Sequence, residues 1–156
     1  MKGVKRFLIA AVTLFMAPAQ AGGTDPSPTA FELSLNREAC FGSCPAYTVR
    51  VNGNGAVEWM GRKWVRHPGA SSTTVEPATV KQLQQEVKAA NFFTLSDDYT
   101  RMNVSDLSYV TLEVRQGPRR KTVRFYLGDP NVPPVLVNLA KQVDLDLGTA
   151  SWIRDR

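Results

Sequence analysis

The chain has 156 residues, with 19 Lys and Arg against 14 Asp and Glu and a single His, a formal net charge of +5 at pH 7. That length suits one domain with a sizeable core. Two cysteines and one histidine are too few for a structural zinc site, so no metal and no cofactor is read from the composition.

Lys2, Lys5 and Arg6 precede an apolar run from Phe7 to Ala17, and Ala19-Gln20-Ala21 has the small-x-small form of a cleavage site. The pattern predicts a signal peptide over residues 1–21 and delivery to the periplasm or beyond. The apolar run falls short of the ~20 residues that span a bilayer, and no cysteine stands at the cleavage point to take a lipid. Removal of this segment takes three of the 19 basic residues and none of the acidic ones, leaving 16 against 14, a net +2. So balanced a chain gives no footing for nucleic-acid binding, which calls for a clustered basic face.

Residues 22–29, G-G-T-D-P-S-P-T, read as a flexible spacer, and a single domain is expected over 30–156. Phe31, Leu33 and Leu35 alternate with polar residues, as in a strand with one buried face. Cys40 and Cys44 follow. Extended backbone would hold their Cα atoms roughly 13 Å apart, whereas a disulfide needs about 4.4–6.8 Å, so a bond requires the chain to turn between them. Gly42 and Pro45 favour that turn. An oxidising compartment makes the disulfide the expected state. The alternative, a thiol-redox couple, runs against the three-residue spacing and the strand that follows Pro45. Haem attachment would need a histidine where Pro45 stands.

Tyr47, Val49 and Val51 form a second alternating run, and Asn52-Gly53-Asn54-Gly55 is a strong hairpin signal. The return strand is expected over 56–65, with Val57, Trp59 and Val65 inward, Glu58, Arg62 and Trp64 outward, and a bulge or bend at Gly61. His67-Pro68-Gly69 and the Ser/Thr stretch to Thr74 read as a loop. From Pro77 the period becomes helical, with Val80, Leu83, Val87 and Ala90 in one stripe and Asn91 as the stop.

Thr94 to Asp106 reads as a long irregular connection, a place where function often sits. Its Asp97, Asp98 and Asp106 lack the spacing of an EF-hand. Val110, Leu112 and Val114, then Val123, Phe125 and Leu127, predict a second hairpin across Gly117-Pro118. Pro133 and Pro134 open a second helix with Leu136, Leu139, Ala140, Val143 and Leu147 as its stripe. The economical fold is α+β: a mostly antiparallel sheet of about five strands, two helices on one face and the other face open.

The run R-x-x-C-F-G-x-C-P-x-Y from Arg37 to Tyr47 stands with a helix ending in N-F-F, Tyr99, Asp106, a late K-x-V, Asp129-Pro130 and Trp152. In these the chain resembles a family of secreted bacterial proteins known as domain of unknown function 6438, over about Phe31 to Trp152. The resemblance implies an export-associated α+β domain. It supplies no activity and no catalytic residue.

His67 is a lone histidine with no G-x-S-x-G nearby, so no catalytic residue is assigned and an enzyme using the cysteines or the Asp-rich loop is the secondary reading. Alternation places Arg50, Arg62, Trp64, Tyr109, Arg115, Arg124 and Tyr126 on the open face, and arginine and aromatics are what recognition surfaces are enriched in. The expected function is a non-enzymatic binding module for an envelope protein or an anionic wall or outer-membrane component.

Overall fold

The computed structural model describes residues 30–101 and 106–153. The expected signal peptide and spacer lie outside them, as do residues 102–105 of the irregular connection. Alternating apolar runs form β1 (Phe31–Arg37), β2 (Ala46–Asn52), β3 (Ala56–Lys63), β6 (Tyr109–Gln116) and β7 (Arg119–Tyr126). Two further strands, β4 (Gly69–Thr74) and β5 (Asp98–Tyr99), extend the sheet at its edges.

The order is β4-β3-β2-β1-β6-β7-β5, antiparallel except where β5 runs parallel to β7. The sheet is thus seven-stranded and mixed, two strands more than expected. The two additions share a cause. An edge strand paired on one side, with side chains exposed on both faces, needs no apolar alternation, and β4, G-A-S-S-T-T, shows none. It is held instead by backbone pairing, Gly61 to Gly69 through Ala56 to Thr74.

Helices α1 (Pro77–Ala89) and α2 (Pro134–Asp146) follow the predicted stripes. Val80, Leu83 and Val87 of α1 and Leu136, Leu139, Ala140 and Val143 of α2 are buried. They join the inward residues of β1, β2, β3, β6 and β7 in one apolar cluster, with Leu33, Val49, Leu112 and Phe125 fully enclosed. Burial of these side chains, about 1.5–3 kcal/mol each, is the main force holding both helices on the sheet. α1 ends where Asn91 turns left-handed at φ 48° and Phe92 drops into the core.

A close approach and a bulge fix the sheet's geometry here. At Gly61 a Cβ would stand 2.2 Å from the His67 carbonyl oxygen and 2.9 Å from Trp59 Nε1, because the Trp59 indole donates to that carbonyl at 2.8 Å directly over the glycine. Just beyond it Ala46 pairs with Lys63 and Tyr47 with Gly61, which leaves Arg62 as the extra residue of a bulge.

Candidate functional site

The outward side chains line up in rows set by register. One row reads Ser72, Glu58, Arg50, Ser34, Glu113 and Thr122, each opposite the next. The next reads Ala70, Met60, Thr48, Asn36, Thr111, Arg124 and Asp98. A third row pairs Glu32 with Arg115 and Arg115 with Arg120, so Arg50, Arg115 and Arg124 share the open face, and Arg62 reaches across its end.

Most of these arginines are engaged. Arg115 is bidentate on Glu32, with Nη2 to Oε1 at 2.7 Å and Nε to Oε2 at 3.2 Å, and its guanidinium holds the Glu32 carboxyl below the ordinary range. Arg120 pairs with Glu113. Arg124 pairs with Glu38 at 3.1 Å and lies 4.5 Å from the Tyr109 ring centroid. Arg62, freed from the ladder by the bulge, donates to Thr48 Oγ1 at 2.8 Å, Asn36 Oδ1 at 2.7 Å and the Arg37 carbonyl at 2.9 Å. Among the described residues Arg50 is exposed and makes no ion pair. It borders a shallow depression of about 350 Å³ with Glu32, Ser34, Glu58, Arg115 and Arg120.

Two aromatics of the expected face behave differently. Tyr126 is outward by register, opposite Tyr109, but it is only 2% exposed. Its ring packs 5.1 Å from that of Tyr109, its hydroxyl accepts from the Leu107 amide at 3.2 Å, and Gly128 folds over it. Alternation reports direction and is blind to a returning loop. Trp64 lies past the bulge and the end of β3 with φ 55°, so period two does not carry through it. It stands at the sheet's end, about half exposed.

Cys40 and Cys44 form a disulfide with Cα atoms 5.5 Å apart, and Gly42 N–H donates to the Cys40 carbonyl at 2.9 Å to close the turn. The bond presents Phe41, 87% exposed, at the tip of the loop. A disulfide-bonded pair is compatible with a periplasmic or extracellular location. In the Asp-rich connection, Asp97 pairs with Lys121, whereas Asp98 accepts from the Thr100 amide and hydroxyl, which hold its carboxyl low. The two carboxylates thus serve separate partners. His67 stacks on Trp152, ring centroids 4.9 Å apart, and contacts Ser71 Oγ at 2.6 Å.

Residue-by-residue reading of the sequence misses one constellation. Arg37 Nε donates to Tyr47 Oη at 2.7 Å, Tyr47 O–H donates to Asp144 Oδ2 at 2.5 Å, and Arg37 Nη2 is 3.5 Å from the same oxygen. Thr149 O–H donates to Asp144 Oδ1 at 3.3 Å. Burial pushes the Asp144 carboxyl up while the Arg37 guanidinium pulls it down, with the net upward. Burial also raises the Tyr47 hydroxyl well above its ordinary value, so it keeps its proton and remains a donor. The network walls a cavity of about 310 Å³ beside Pro45, Ser108 and Leu127. Because its members satisfy one another, it is a clasp between the cysteine segment and α2. The available signal was an acid on the apolar side of a helix, four residues after Ala140 and beside Val143, together with the Arg and Tyr that bracket the cysteine motif.

An open-faced α+β domain with a disulfide-closed loop is the class these features define. The chain belongs to the family described as Domain of unknown function (DUF6438), whose model matches residues 31–145. No curated protein matches it significantly. Among the described residues, no helix is long and apolar enough to cross a membrane.

Proposed function

We propose that this protein is an exported, non-enzymatic binding module of the bacterial envelope that takes its partner on the open face of the sheet. The observation that carries this reading is Arg50: an exposed guanidinium that makes no ion pair among the described residues, at the rim of a depression, among arginines already held by carboxylates. A guanidinium left in this way is a ready bidentate donor for a carboxylate or phosphate. The paired arginines around it set a fixed, mixed-charge frame, which favours a partner of complementary pattern over a polyanion. Export is supported by the N-terminal basic and apolar pattern ending in Ala-x-Ala, and by the disulfide.

The test is partner capture by cross-linking in the intact envelope, comparing the native chain with Arg50→Glu. Arg50→Glu is expected to lose the captured partner with the fold intact and a stability loss of about 1 kcal/mol or less, because the new carboxylate faces Glu58 across the β2–β3 pair. Capture that survives Arg50→Glu overturns the proposal. Arg62 and Arg124 are poorer probes, because each braces the face through its own bonds.

A further inference from the structure

The two edges of the sheet are built differently. At one, β5 covers the close of β7 at Arg124 and Phe125, and the rest of that strand carries Arg119, Arg120 and Lys121. At the other, β4 reads G-A-S-S-T-T and holds one unbroken register with β3 from Gly69 to Thr74. Native sheets blunt an exposed edge with charge, proline or a bulge, and β4 has none of these.

Hydrogen-bond phase defines what this edge offers. The Val75 amide donates to the Gly55 carbonyl at 2.8 Å, one step beyond the pair of Ala56 with Thr74. Backbone groups of an antiparallel strand face a given neighbour at every second residue, so Gly69, Ser71 and Thr73 are turned to β3. Ala70, Ser72 and Thr74 turn their N–H and C=O groups away from the sheet, where no backbone bond among the described residues reaches them. The side chains of the same residues point to the open face, and Ala70 and Ser72 are small beside Met60 and Glu58, their β3 partners. This step down leaves a hollow of about 610 Å³ at the edge, bordered by Thr48, Arg50, Glu58, Met60, Ala70 and Ser72. Met60 is 45% exposed. Glu58 is exposed and makes no ion pair among the described residues.

We propose that an extended segment of a partner protein adds to the sheet along β4, antiparallel to it, with an apolar side chain beside Ala70 and a lysine or arginine beside Ser72. Main-chain bonds to Ala70 and Ser72 hold such a strand, and its alternate side chains give specificity. Strands lie about 4.8 Å apart, so Met60 and Glu58 are within reach of long side chains that cross Ala70 and Ser72. Glu58 is met before Arg50, which lies one strand further in, so the hollow favours a cation. A second copy of β4 would bring only alanine, serine and threonine and leave the hollow unfilled. The site is the edge of the sheet and not the Arg50 depression, and the inference does not rest on the open-face reading.

The probe is a fluorescein-labelled, end-capped peptide, Thr-Thr-Thr-Lys-Thr-Phe-Thr-Thr, titrated with the full chain and followed by anisotropy. Saturable binding is expected. Ser72→Pro should weaken it roughly tenfold, because it deletes an outward N–H and breaks no bond to β3. N-methylation of the probe's lysine, which removes its N–H toward Ser72, should do the same to the native chain and so keeps the test decisive if Ser72→Pro does not fold. Glu58→Gln should weaken binding about threefold, and a probe with serine in place of phenylalanine should bind more weakly than the original. Absence of saturable binding at millimolar protein overturns the proposal, as does a probe whose binding N-methylation leaves unchanged. Dimerisation of the native chain in sedimentation equilibrium that Ser72→Pro abolishes also overturns it, since the occupant is then a second copy.

Discussion

Replacement of Asp144 by alanine tests the buried clasp most directly. The carboxylate is 5% exposed and accepts from Tyr47 and Thr149 while facing the Arg37 guanidinium. Its removal leaves a phenol O–H with 0% exposure without its acceptor and a mostly buried cation without its counter-ion. Breaking a buried pair from one side typically costs about 3–5 kcal/mol. The Arg37 side chain retains 18% exposure, and Thr149 keeps the Asp144 backbone carbonyl at 3.4 Å, so the lower end, about 3 kcal/mol, is expected. Urea unfolding followed by far-UV circular dichroism should show the midpoint fall with the slope unchanged.

The companion variant removes the whole network, Arg37→Met/Tyr47→Phe/Asp144→Leu. It should cost less than the single change, because apolar replacement of a complete buried ion pair is often close to neutral. Asp144→Asn should also be milder, since it keeps an acceptor for Tyr47 and sheds the charge whose burial raises the carboxyl. For such a raised acid, stability is present below the unfolded pKa and is lost as pH rises through the folded one. A loss under about 1 kcal/mol for Asp144→Ala, or a triple variant weaker than the single, would refute the assignment of the clasp as a stabilising unit.

Further outcomes can be checked on the same protein. Gly61→Ala should cost about 2–3 kcal/mol, as overpacking does, because its Cβ meets the His67 carbonyl, whereas Gly53→Ala, with no neighbour closer than 3.5 Å, should be nearly silent; thermal melts of both give the contrast. Cys40→Ser/Cys44→Ser should lose about 2 kcal/mol from so short a loop, and free thiols alkylated in denatured, non-reduced protein would contradict the bond. Glu86, between α1 and α2, has its carboxyl raised by burial and by the nearby Asp146, with Gln82 bridging the two. By the linkage sign above its burden appears as pH rises through that raised value, so Glu86→Gln should stabilise at pH 7 by about 0.5 kcal/mol or less after solvent screening. That gain should vanish in denaturant titrations near pH 4.

Sequence by itself determined the parts of this fold that repeat with a period. Inward residues such as Leu33, Val49, Leu112 and Phe125, and the helix stripes through Leu83 and Leu136, were legible because burial of one face imposes alternation in strands and a 3.6-residue stripe in helices. The cysteine turn was legible from local geometry, and the direction of Arg50, Arg115 and Arg124 from strand parity. Tertiary structure alone decided whatever depends on pairing between distant segments. β4 and β5 are strands because a neighbour offers hydrogen bonds, and their side chains do not announce it. Tyr126 is covered by a loop that parity cannot see, and the bulge at Arg62 breaks the phase that would have placed Trp64. Arg115 and Arg124 point outward as read, but only register brings Glu32 and Glu38 beside them, which leaves Arg50 as the open-face arginine with neither an ion pair nor a bracing bond among the described residues. The clasp joins positions 97 residues apart, and no local pattern carries a contact at that separation, because it exists only once the apolar faces have closed on each other.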